Sequence, residues 1–149
     1  MLGKSEEGSS LIEMAFILPL MLLIVVSLVD YAFFVQKATQ VQDAAAAAAA
    51  FGAVPGNSAN SATMIQLANY DVTGSFAGAA GFTANATNFY TCTPGGAQVT
   101  AATSCSGGTP LHYVEVTASL TAKSVLPFPG TPSTQIINGF AIYRVEVTP

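Results

Sequence analysis

Gly8-Ser9-Ser10-Leu11-Ile12-Glu13-Met14 runs directly into an apolar stretch from Ala15 to Val29, and the reading of this junction decides the fold. Met14 to Val29 carries no charge, and continuing past Asp30 through Tyr31-Ala32-Phe33-Phe34-Val35 extends the span to about the 20 residues that a bilayer core requires. The alternative is a buried core helix. It is disfavoured because the ~100 residues that follow make too small a domain to wrap a helix that is apolar on every face. Glu13 stands at the head of this span, and an ionised group at membrane depth is expensive unless something pairs with it.

From Ser9 to Phe51 only Pro19 interrupts helix-compatible sequence, and Ala44 to Ala50 is a run of the best helix former. Beyond the apolar span Val35, Ala38, Val41 and Ala45 are expected on one stripe, with Gln36, Gln40 and Asp43 turned elsewhere, so the helix leaves the membrane amphipathic. Gly52 and Pro55 end it. About 42 helical residues would reach ~63 Å, twice the hydrocarbon thickness. Two readings of the alanine run remain open: plain helix propensity, or close packing against another element.

After Asn57 the texture changes. Ala62 to Ala68 reads as a short second helix, and Phe82 to Cys92 and Gln98 to Ala101 as weak strands separated by the turn Thr93-Pro94-Gly95-Gly96. Leu111 to Lys123 is the best strand, with Val114, Val116, Ala118 and Leu120 on one face. Phe140 to Val147 is another, with Ala141, Tyr143, Val145 and Val147 opposite Phe140, Ile142, Arg144 and Glu146. Val125-Leu126-Pro127-Phe128-Pro129-Gly130 forbids continuous sheet between them. The expected class is α+β: a long N-terminal membrane-spanning helix packed on a small antiparallel sheet head. The expected division is 1–8 leader, 9–35 membrane-spanning helix, 36–56 its continuation, and 57–149 the strand-rich head.

Composition narrows the function. Charged residues are 8% of the 149 and hydrophobic ones 51%, with a net charge of −4. Without a Lys/Arg cluster, nucleic acid is excluded as a partner, because phosphate binding needs several cations on one surface. His112 has no nucleophile setting such as Gly-x-Ser-x-Gly beside it, and no phosphate-binding glycine loop or spaced carboxylate pair is present. An enzyme is therefore not expected, nor any cofactor. Cys92 and Cys105 with one histidine cannot assemble four zinc ligands. In an oxidising compartment the pair reads as one disulfide; two free thiols are the alternative. Asn85-Ala86-Thr87 matches a glycosylation sequon by composition alone.

Gly8-Ser9-Ser10-Leu11-Ile12-Glu13-Met14-Ala15-Phe16-Ile17-Leu18-Pro19-Leu20 resembles the TadE/TadG-like family of the bacterial tight-adherence (Tad) pilus system, a branch of the type IV pilin-like proteins. Asp30-Tyr31 is similar to the family's acidic-aromatic pair, and Tyr113-Val114-Glu115-Val116 and the final Ala141 to Val147 are more loosely similar to its C-terminal pattern. The resemblance implies a minor pilin or pseudopilin cut after Gly8 by a prepilin peptidase, leaving Ser9 as the new N-terminus and Glu13 as the fifth residue. Without it, the order of elements already argues against an ordinary secretory signal, since a cleavage site is better placed before the apolar run than after it. The implied partners are the inner membrane, the peptidase and other pilin subunits. The implied location is a single-pass bacterial inner-membrane protein with its C-terminal head outside the cytoplasm, passing into an extracellular filament on assembly. A permanently anchored periplasmic or surface binding module and a main filament subunit are the competing readings.

Overall fold

Nothing between Glu6 and Ala53 stops helix formation, and the computed structural model shows one continuous helix there, α1 (Glu6–Ala53), running through Pro19. The structure describes residues 6–75, 80–124 and 133–146. Residues 1–5 of the expected leader, the Val125–Gly130 segment and Val147 lie outside the described residues. At 48 residues α1 is ~72 Å long, more than twice what a bilayer core spans.

The head follows as α2 (Ser61–Thr73), β1 (Phe82–Thr91), β2 (Gln98–Val99), β3 (Leu111–Lys123) and β4 (Thr134–Arg144). All strand pairs are antiparallel and the sheet order is β2-β1-β3-β4. This is the α+β arrangement of a long helix on a small sheet.

The distal part of α1 forms one wall of the core. Val41, Ala44, Ala45, Ala48 and Ala49 are fully buried and meet Met64 and Ala68 of α2, Val114, Val116 and Ala118 of β3, and Ile137 and Ala141 of β4. Their spacing, three or four residues apart, is a single helical face. Four members of the alanine run are therefore core residues, and the run serves close packing as well as propensity. Val35, expected on the same stripe, is 41% exposed. Steps of three residues drift by about 60° each, so Val35 has turned away from the face that Val41 presents.

Two glycines mark the closest approaches. A Cβ at Gly52 would collide with the Met64 sulfur and lie 2.9 Å from Val114 Cγ1, and one at Gly139 would collide with the backbone of Val41. Beside Gly139, Gln42 Nε2 donates to the Phe140 carbonyl at 2.8 Å and Phe140 N–H donates to Gln42 Oε1 at 3.2 Å. The side-chain amide thus supplies a neighbouring strand's donor and acceptor to edge strand β4, removing an exposed pairing site.

Elements differ from expectation at their ends. The second helix extends beyond Ala68 to Thr73, closing with Gly74 N–H on the Tyr70 carbonyl. β4 begins at Thr134, six residues earlier than Phe140, and ends at Arg144. Ile137, Gly139 and Ala141 alternate inward, whereas Tyr143 is 43% exposed although it was expected on the same face. The second strand is only Gln98–Val99.

Cys92 and Cys105 are bonded across a Cα–Cα distance of 5.4 Å and a sequence separation of 13. Closing a loop of this size restricts the unfolded chain, so Cys92→Ser/Cys105→Ser is expected to cost the head about 3 kcal/mol. Urea unfolding of the oxidised protein and the double variant measures it; coincident curves would show that the bridge adds nothing.

Candidate functional site

From Leu11 to Val29 the large apolar side chains of α1 are exposed around the whole helix: Leu11 is 73% exposed, Phe16 79% and Leu28 62%. The helix is long and apolar enough to cross a membrane, with a mean hydropathy of 2.6 in its most apolar window and none of that window buried. A core helix would be covered by the head, and this one is not. The span is therefore suited to contact with lipid or other subunits, as in a single-pass membrane anchor.

Within that surface Glu13 is exposed, one turn above the Gly8–Ser9 peptide. Gly8 and Ser9 fall in the opening turn of α1, where backbone N–H groups have no helical acceptor and unwinding costs little. Among the described residues no hydrogen bond or ion pair reaches Glu13. The arrangement presents a carboxylate to whatever adjoins the helix at a fixed distance from a small-residue peptide bond.

Asp30 has a different position. It is half-buried and accepts a hydrogen bond from Ser124 Oγ at 2.7 Å, tying the end of the apolar run to the residue following β3. The sequence shows Asp30 interrupting the apolar run but carries no sign of this link. Ninety-four residues separate the partners, and no local pattern signals the pair.

His112 lies at the opposite end of the sheet, stacked on Tyr90 with ring centroids 4.3 Å apart. Among the described residues its Nε2 is buried without a hydrogen-bond partner, and burial pushes its pKa below the ordinary 6.5. The folded state therefore binds fewer protons than the unfolded chain just below pH 6.5, so stability is complete above that value and falls as the pH drops through the window. His112→Phe, which keeps the stack, is expected to flatten this part of the stability-against-pH curve. An unchanged slope would move its origin elsewhere. Among the described residues no three His, Cys, Asp or Glu side chains gather as a metal site. Asn85 and Thr87 of the sequon are exposed in the middle of β1.

Residues 8–50 match the family model described as TadE-like protein. Residues 8–50 are similar to TadE-like proteins. The match covers the Gly8–Ser9 peptide, Glu13, the whole apolar span, Asp30 and the alanine run, and stops before the head. The likeness is confined to that segment, under a third of the 149 residues. Searches of curated proteins and of solved structures found no match to the chain.

Proposed function

We propose that the chain is a minor pilin or pseudopilin, made as a membrane-anchored precursor and cut after Gly8 by a prepilin peptidase before it joins a Tad pilus assembly. The observation that carries this reading is Glu13, an exposed carboxylate on an otherwise apolar helix surface inside the TadE-like segment. Cleavage creates an α-ammonium at Ser9. On a neighbouring subunit that ammonium neutralises Glu13, and each group supplies the partner the other needs away from water.

The head supports a role in assembly as well. Ile136, Phe140 and Ile142 lie on the outer face of β4, 70%, 51% and 42% exposed with Asn138 between the first two, a largely apolar surface suited to a subunit contact. In this reading the N-terminus is cytoplasmic and the head lies outside, where the Cys92–Cys105 bridge persists.

Intact-mass measurement on the protein purified from native membranes tests the proposal. Loss of Met1 to Gly8 is expected. Retention of those residues would overturn it in favour of a permanently anchored binding module.

A further inference from the structure

Where α1 leaves its apolar span, the helix and the head enclose a half-open pocket of about 750 Å³. Phe33 and Phe34 of α1, Val72 of α2 and Leu120 of β3 give it apolar walls, and Lys37 and Lys123 also line it, the Lys37 ammonium donating to Gln40 Oε1 at 3.1 Å. The whole chain has only four basic side chains, and two of them line this one pocket. The Asp30 carboxylate is also in the wall, accepting from Ser124 Oγ, so two lysines against one carboxylate leave a net positive charge.

Position identifies what that charge meets. The pocket reaches down the helix to Ser27, inside the apolar run, and up to Lys37. Ten residues of helix span ~15 Å, enough to run from the upper hydrocarbon into the headgroup layer. An apolar surface continuous with the bilayer and topped by two cations matches one class of molecule, with acyl chain below and phosphate above.

We propose that this pocket binds an anionic phospholipid from the leaflet on the head's side of the membrane. Its phosphate meets Lys37 and Lys123, and its upper acyl chain lies along Phe33 and Phe34. The lipid would fix the angle between span and head at the place where Asp30 and Ser124 already join them. The inference requires only that α1 spans a membrane, not that Gly8 is cut or that the chain enters a filament.

Native mass spectrometry of the full chain, released from equimolar phosphatidylglycerol and phosphatidylcholine, tests it. One phosphatidylglycerol adduct is expected to dominate. Lys37→Gln and Lys123→Gln should each reduce the preference roughly fivefold, and together abolish it. Arg144→Gln removes the same charge at the far end of β4, where Arg144 pairs in register with Tyr113, and should leave the preference unchanged. Circular dichroism checks that each variant keeps its fold; the lysines are exposed, so replacement costs little packing. Equal retention of both lipids by the unmodified protein would overturn the proposal. So would an equal loss in Arg144→Gln, which would mean net charge alone, or displacement of the adduct by millimolar inorganic phosphate, which would mean an anion site with no lipid component.

Discussion

Gly139→Val is expected to destabilise the head by about 4 kcal/mol. A Cβ at this position would overlap the Val41 carbonyl oxygen, lie 2.8 Å from its carbon and 3.0 Å from Gln42 N. All of these are backbone atoms of α1, so no side chain can rotate aside to make room. The helix would have to lift from β4, which also stretches the paired hydrogen bonds between Gln42 and Phe140. Overpacking of a core costs about 1–3 kcal/mol and each lost hydrogen bond about 1 kcal/mol, so a loss of about 4 kcal/mol is expected. Against a domain stability of about 5–15 kcal/mol that removes between roughly a quarter and most of what holds the head folded. Gly107→Ala, where nothing lies within 4 Å of the added Cβ, is the matched control and should be neutral. Thermal unfolding followed by circular dichroism compares them. Equal midpoints would show that α1 does not lie against β4 as described.

The same contact explains where the sequence was readable and where it was not. α1 was legible because propensity, apolar length and the Gly52–Pro55 stop agree over one uninterrupted segment. β3 was legible to the residue because alternation persists from Leu111 to Lys123. The start of β4 was not. Thr134 to Gly139 follows a proline-rich segment, and Asn138-Gly139 has the composition of a turn. Gly139 sits mid-strand because the helix backbone leaves no room for a side chain, a tertiary requirement with no local signature. The candidate site divides in the same way. Gly8, Ser9 and Glu13 could be picked out because a glycine and a carboxylate at fixed spacing before an apolar run are a one-dimensional pattern. Asp30–Ser124, Gln42–Phe140 and the pocket joining Lys37 to Lys123 depend on how the chain returns to its own helix, and only the folded structure brings them together.

Glu13→Ala is expected to leave the protein in the membrane and keep it out of the assembled fraction. Replacing an exposed carboxylate on the span with a methyl group removes a charge that opposes insertion, so anchoring should be unaffected or improved. Assembly should respond in the opposite direction. In the proposed contact the Ser9 ammonium of a neighbouring subunit would be left without a partner, and breaking one side of a buried pair costs about 3–5 kcal/mol. That corresponds to a fall of roughly two to four orders of magnitude in incorporation. Quantifying the variant in sheared surface material against the membrane fraction reads this directly, and intact mass on the same membrane pool shows whether Met1 to Gly8 has been removed. A processed variant that fails to assemble places the role of Glu13 in subunit pairing. An unprocessed one places it in peptidase recognition, because assembly would then fail one step earlier. Normal incorporation of processed Glu13→Ala would sink the pairing idea, since no arrangement that depends on neutralising the new N-terminus survives loss of the only ionisable side chain between Leu11 and Val29.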